Sequence, residues 1–405
     1  MAPVRLRVAP RLATARPITF HATRSSVRVR VRKIMLPRAV ETEAETNTAA
    51  AMEMSFQPEA TETPLSTSSS ESTAASLRNA SPEDVLAYMA KFLEGDLRRL
   101  VDTGRLTDAR YSKDILFADP TIRVSGLDTY KLLMNSMRFL FKCQFNIYGV
   151  KITGPKEVTA TWAMSMRQEQ LPWQPEVVLS GRTMYEIDVE RAMVLAHIDE
   201  WDSADHNNFF SIDAFTDITR QLLKGKNTPD LEAPPYTVVR RRMRYEIRKY
   251  SPFVVAETEM TSGAGPASGS GFTDLAKFIF GGNDKKLNMA MTMPVFSTAS
   301  QPGPNGNRMQ FVMGSQYKAP EEVPSPESGT VVCKTEDPGY IAAIEFSGWP
   351  MDFEVVQADS ELRKLLLADG MSPVAGYKLA RYNDPTTLPM FRRNEVLIKV
   401  EAVEL

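Results

Sequence analysis

An α+β fold in two successive domains is what the sequence predicts, on three observations. Between Ser81 and Phe141 apolar residues recur at helical spacing, and from Phe145 to Trp201 the pattern changes to successive strand-like segments. The run Lys224 to Pro235 then breaks all periodicity, and its paired prolines favour extended backbone. From Tyr236 onward the order strand, strand, helix, strand, strand occurs twice, without visible identity between the rounds. A chain of 405 residues with 43% hydrophobic content has enough apolar material for two packed cores. The boundaries expected are a leader at 1–40, a disordered stretch at 41–76, a first domain at 77–226, a linker at 227–235 and a second domain at 236–405.

The first forty residues carry nine arginines and Lys33, with no Asp or Glu, in a background of Ala, Ser, Thr and Val. This is organelle-transit composition, and the abrupt change to acid at Glu41 disfavours a basic nucleic-acid-binding arm. The whole chain has a formal charge of −2, so with those ten cations set aside the remainder carries −12 and repels phosphate backbones. Residues 41–76 are rich in Glu, Thr, Ser and Ala and lack the apolar periodicity that offsets ordering entropy. No apolar run approaches the ~20 residues needed to span a bilayer, so no transmembrane segment is expected, and only peripheral lipid association stays open. Cys143 and Cys333 fall in different domains, which disfavours a disulfide framework or a thiolate metal cluster.

In the first domain Ser81 is followed by Pro82, Glu83 and Asp84, an N-cap, a proline at the first helical position and two carboxylates facing the helix dipole. Val85, Leu86, Met89, Phe92, Leu93, Leu97 and Leu100 give that helix one buried face. A second helix is expected over 127–141, with Tyr130, Leu133, Met134, Met137 and Leu140 inward. Strands are expected at 145–152, 157–168, 176–188 and 193–201, with turns at Thr153-Gly154-Pro155, Leu171-Pro172 and Asp188 to Arg191. Two helices followed by antiparallel strands describe a cone, a curved sheet wrapped around a long helix. The stretches Tyr111 to Pro120, Gly126, Ser180 to Tyr185 and His197 to Asp202 resemble the NTF2-like superfamily, in particular the uncharacterised plant and algal domain of that shape. His197, Asp199 and Trp201 alternate on the last strand and so share a face. An imidazole beside a carboxylate in an apolar pocket is capable of acid/base chemistry, but a His and Asp near a strand end more often satisfy each other structurally, and no catalytic residue is assigned.

In the second domain strands are expected at 238–251, 253–260, 289–296, 307–313, 331–335, 340–347, 375–382 and 393–400, and helices at 271–280 and 353–369. Gly281-Gly282-Asn283 offers the first of these helices an exit with positive φ, and the alternation in M-A-M-T-M-P-V places Met289, Met291, Met293 and Val295 on one buried face. Five blocks carry a resemblance: Tyr245 to Tyr250, Ala256 to Glu259, Gly271 to Asn283, Met289 to Val295 and Arg392 to Val396. In this order and spacing they resemble the SOUL haem-binding family, over about 170 residues. The resemblance implies a distorted antiparallel β-barrel with two flanking helices, built from two pseudo-symmetric halves.

It also implies a shallow apolar groove between the first helix and the loop before the last strand, taking a flat macrocycle. Carried onto this chain, the groove residues are Phe272, Leu275, Ala276 and Ile279 from the helix and Leu388, Met390 and Phe391 from the loop, with Lys277 and Arg392 near the ligand's carboxylates. His21, His197 and His206 all precede Tyr236, so a histidine ligand from within the second domain is excluded and no metal ligand is assigned. The expected cofactor is haem or metal-free porphyrin, held non-covalently and without an axial histidine. The resulting expectation is a chloroplast protein, in the stroma or peripheral on plastid lipid bodies or thylakoids, that binds tetrapyrrole reversibly as a carrier, buffer or sensor and is not an enzyme. The alternative is a plastid scaffold that binds no ligand and docks a haem-metabolism enzyme.

Overall fold

A computed structural model describes residues 80–204, 210–224, 228–260, 270–299 and 307–401. The expected transit peptide at 1–40 and disordered stretch at 41–76 lie outside these residues. Helix α1 (Pro82–Thr103) starts at Ser81, whose hydroxyl accepts from the Asp84 amide, and ends at Gly104 in the left-handed region. Its stripe Val85, Leu86, Met89, Leu93, Leu97 and Leu100 is buried. Around it curls a six-stranded sheet of β1 (Tyr111–Ala118), β2 (Arg123–Ser125), β3 (Lys142–Gly154), β4 (Glu157–Arg167), β5 (Glu176–Asp188) and β6 (Met193–Trp201), in the order β2-β1-β6-β5-β4-β3. This is the expected cone. Helix α2 (Leu127–Leu140) buries Tyr130 fully, whereas Leu140, expected inward, is exposed at the helix end.

Three elements depart from the sequence reading. Strands β1 and β2 were not expected, and β1 pairs with β6 in parallel, so the sheet is not antiparallel throughout. Helix α3 (Ile212–Leu223) was also missed, because the residues it buries are Ala214, Asp217 and Gln221 while Ile212 and Phe215 face solvent. The segment is amphipathic in sequence, but Asp217 and Gln221 stand on the face it buries beside Ala214, Ile218 and Leu222. Gly181 is required on β5, since a Cβ there would sit 1.9 Å from the Glu200 carbonyl oxygen on β6.

The second sheet has nine strands: β7 (Tyr236–Arg241), β8 (Glu246–Tyr250), β9 (Phe253–Glu259), β10 (Val295–Ala299), β11 (Asn307–Val312), β12 (Val331–Glu336), β13 (Tyr340–Phe346), β14 (Tyr377–Arg381) and β15 (Asn394–Lys399). Helix α4 (Ser270–Ile279) follows β9 and helix α5 (Asp352–Ala368) follows β13. Their order is β12-β9-β11-β10-β14-β15-β13-β8-β7, every pairing is antiparallel, and the curled sheet stays open between the edges β12 and β7. The repeat of element order becomes a pseudo-twofold between β10 and β14. Its first strands are exchanged: β8 lies beside β13 of the other half, and β12 beside β9. One face carries α4 over a core of Val254, Ala256, Met309 and Phe311, and α5 over Ile247, Ala342, Ile344 and Val396.

The expected single strand at 238–251 is a hairpin, β7 and β8, turned by the Arg242 amide donating to the Tyr245 carbonyl at 2.9 Å. Residues 289–294 form only isolated bridges, and β10 begins at Val295. Met289 is buried but Met291 is exposed, so the methionine alternation does not mark one buried face. Gly281 takes φ +97° after α4, as its position suggested.

Cone and second sheet are joined through α3 and β7. Asp217 of α3, fully buried, receives both terminal nitrogens of Arg241, at 2.6 and 3.0 Å, and the Arg241 amide donates to Ser180 Oγ of β5 at 2.7 Å. Gln221 fastens the same helix to both backbone groups of Val178. From Arg241 the ionic chain continues on the helix-free face of the second sheet through Glu246 and Arg248 to Glu395, which also receives Arg393 and the Tyr382 hydroxyl.

Candidate functional site

Three regions bear on function: the interior of the cone, the seam between cone and second sheet, and the connector between β14 and β15. In the cone His197 is buried among Phe117, Tyr130 and Tyr185. Its Nδ1 lies 2.9 Å from the Tyr130 hydroxyl and its Nε2 2.9 Å from Asp199 Oδ1. Asp199 also accepts from Thr183 Oγ1, which in turn accepts the Trp162 indole N–H at 2.8 Å. Burial pushes the Tyr130 and Tyr185 hydroxyls well above the ordinary phenol range. Such a network, with both imidazole nitrogens partnered and wrapped in rings, orders the cone core. It leaves no imidazole nitrogen for a substrate.

At the seam a cleft of about 460 Å³ is lined by Thr161, Gly181, Arg182, Glu200, Arg240 and Arg242 among others. Its charges meet in pairs, Arg182 with Glu200 and Arg242 with Asp369. A flat apolar ring finds no greasy wall there.

The connector after β14 is different in kind. Asp384 accepts from the Thr386 amide and hydroxyl and from the Thr387 hydroxyl, and those bonds bring its carboxyl down to about 2. Arg392 donates Nε to the Thr387 carbonyl at 2.8 Å and Nη2 to the Pro385 carbonyl, while its guanidinium lies 3.6 Å from the centre of the Trp349 ring. The Gly348 amide donates to the Pro389 carbonyl at 2.9 Å, and Asn394 Nδ2 to the Gly348 carbonyl at 3.0 Å. The segment is thus a pinned loop, yet Leu388, Met390 and Phe391 are 59%, 69% and 49% exposed. Trp349, Met351 and Phe353, on the turn to which it is tied, are exposed as well. Large apolar side chains held in water by a rigid backbone mark a binding surface. The sequence reading passed over Trp349, Met351 and Phe353; the signal present was the apolar run W-P-M-D-F straddling a helix start.

The residues expected of α4 divide. Leu275 and Ile279, with Phe278, are buried against Met309, Phe311 and Val331 of the sheet, which corrects their assignment to an open groove. A ten-residue helix has one face to give its sheet, and the larger apolar side chains take it. Phe272 is 39% exposed and packs edge-on against Phe311 at 5.4 Å, Ala276 is half-buried, and Lys277 is exposed. Arg392 donates Nε and Nη2 to the connector's own carbonyls and so fixes the loop. Phe272 of α4 packs on Phe311, which pairs with Val295 in the row that leads to the connector. Val295, which the chain enters soon after α4, pairs with Arg381, from which the connector departs. No group of three or more His, Cys, Asp or Glu fit to hold a metal ion occurs among the described residues.

Comparison with known proteins bears on this surface. Residues 231–399 match the family model of the SOUL heme-binding protein, and residues 87–197 match that of an uncharacterized conserved protein family, DUF2358. Residues 231–399 are a SOUL domain. Heme-binding protein 1 of Xenopus laevis is 29% identical over 158 residues, covering 38% of this chain and 81% of the relative. Heme-binding protein 1 of Sus scrofa is 25% identical over 184 residues, covering 43% and 96%. Among solved structures, an NTF2-like protein of unknown function from Exiguobacterium is similar at 12% identity and a TM-score of 0.22, covering 31% of this chain and all of that one. The connector and α4 both belong to the SOUL domain, the cone to the segment ahead of it.

Proposed function

We infer that the SOUL domain binds haem or a related tetrapyrrole reversibly, at the end of the sheet where the connector stands. The observation that carries this reading is the pinned loop 384–392, which holds Leu388, Met390 and Phe391 in solvent on a domain whose family and relatives are named for heme binding. A preordered loop spares the ligand the cost of ordering it. Micromolar affinity is about 8 kcal/mol, and at ~25 cal/mol per Å² some 300 Å² of covered apolar surface is the least that supplies it, before association costs. With no histidine from Tyr236 onward, iron gains no imidazole from this domain and apolar contact dominates. Metal-free protoporphyrin is therefore expected to bind within about tenfold of hemin. Titration of the full chain with both, followed by Soret absorbance, checks this; no saturable change with either ligand ends the reading, and leaves the scaffold alternative.

The match to a heme-binding family and the exposed apolar side chains of this loop support a binding role over catalysis. Plastid residence rests on the acid-free, arginine-rich segment 1–40. Fused to a fluorescent protein, residues 1–40 are expected to direct it into chloroplasts, and a cytosolic signal would remove that part of the proposal. A carrier or buffer suits weak, ligation-free binding, and rapid transfer of bound hemin to apomyoglobin is its expected mark.

A further inference from the structure

Arg381, the partly buried last residue of β14, differs from Arg241, Arg248 and Arg393. Arg241 meets Asp217, Arg248 meets Glu395 and Arg393 meets Glu395, each within ion-pair distance of a buried carboxylate. Among the described residues Arg381 meets none. Its one hydrogen bond runs from Nη2 to Ser297 Oγ at 2.9 Å, and its Nε is buried with no acceptor. Burial without an anion brings this guanidinium down to about 10. A largely desolvated cation with an unmet donor is expensive; Arg392, the other arginine here without a carboxylate, has carbonyl acceptors for Nε and Nη2, and Arg381 Nε has none.

Its position gives the reason. Directly paired residues on antiparallel strands share a face, so Phe311, Val295, Arg381 and Asn394 form one row across β11, β10, β14 and β15 on the helix-bearing face. Phe311 carries the overhanging ring of Phe272, and Asn394 is tied to Gly348 beside Trp349. Helix α4 covers Met309 and Phe311 and α5 covers Ile344 and Val396, so β10 and β14 form the floor of a trough between the helices. One row further along, Ser297 and Leu379 are buried and the trough is shut. It opens at Val295 and Arg381, which are only partly buried, where the connector begins.

We propose that Arg381 is an anion-binding residue at the floor of this trough, taking a carboxylate of an apolar, acid-bearing ligand whose body lies against Phe272 and the connector. The assignment rests on the tetrapyrrole reading above and adds to it a group on the sheet itself that meets the macrocycle's acid side chain. A guanidinium in a partly desolvated floor forms a strong, charge-assisted bond to a carboxylate, and a neutral ester cannot replace it.

The test titrates the full chain and its Arg381→Gln and Arg381→Lys variants with protoporphyrin IX and with protoporphyrin IX dimethyl ester. Wild type is expected to favour the diacid about tenfold or more, Arg381→Gln to lose that preference while keeping its affinity for the ester, and Arg381→Lys to recover part of it. Thermal melts accompany the titrations: loss of an uncompensated buried charge is expected to leave Tm unchanged or raise it in Arg381→Gln, whereas a structural role lowers it. An undiminished acid preference in a folded Arg381→Gln overturns the assignment and leaves tetrapyrrole binding intact. Wild type that binds neither porphyrin overturns both.

Discussion

Glu395→Ala is expected to cost about 3–5 kcal/mol of stability, the scale for stripping one partner from a buried ion pair. The side chain is fully buried on the helix-free face of the second sheet, where it accepts both terminal nitrogens of Arg248 at 2.7 and 2.9 Å, two bonds from Arg393 and one from Tyr382. Removal strips both guanidinium groups of their shared buried anion and leaves Arg248 only Glu246 and Arg393 only Glu345. Urea denaturation of the purified variant measures the effect, and a loss under about 1 kcal/mol contradicts the account.

The same carboxylate sets an acid limit. Burial alone would raise its pKa, but Arg248 and Arg393 outweigh burial and hold it far below the ordinary carboxylate range; Glu246 is lowered likewise by Arg248 and Arg241 against its own burial. A group whose pKa is lower folded than unfolded stabilises fully above its unfolded value, near pH 4.3, and the stabilisation drains away as pH falls toward the folded value. The wild-type midpoint is therefore expected to drop steeply below about pH 4.3, and that of Glu395→Ala to depend less on pH there.

Asp217→Ala is the second large effect, again about 3–5 kcal/mol, and it acts between the domains. Asp217 is fully buried in α3 and holds Arg241 of β7 bidentately, so its loss leaves that arginine only the longer contact to Glu246 and removes a bond to Gln221. Three of the four tryptophans, Trp162, Trp173 and Trp201, belong to the cone. Their fluorescence and the far-UV circular dichroism of the whole chain are expected to report one transition in wild type and to separate in Asp217→Ala. Coincident transitions at an unshifted midpoint would mean that this ion pair does not couple the two sheets.

Much of the architecture was legible because it is written in apolar spacing and caps. Ser81 with Pro82 opened α1, Gly281 closed α4, and the two rounds of strand, strand, helix, strand, strand became the two halves of one sheet. What escaped was written in polar residues or in tertiary choice. Helix α3 buries Asp217 and Gln221, so it looks inside out until β5 and β7 are present to receive them. Met291 has the right character for a buried strand position but lies in a segment that only bridges. Around the site, Leu388, Met390 and Phe391 were readable as loop residues, but which face of α4 would turn to the sheet was not, since both carry phenylalanine. Arg381 gave no sign at all: a basic residue ending a strand is ordinary, and its solitude shows only once the partners of Arg241, Arg248 and Arg393 have been placed.

The exchange of β8 and β12 has a consequence for how the carboxyl-terminal portion is divisible. Each round of five elements completes its sheet only by lending its opening strand to the other, so a fragment stopping after β11 leaves β9 without its outer neighbour and the β7–β8 hairpin cut off from the rest of the sheet. The ancestral-looking half is thus no longer a module; it is a clasp whose two hooks must both be present, and shortening this region from either side opens it.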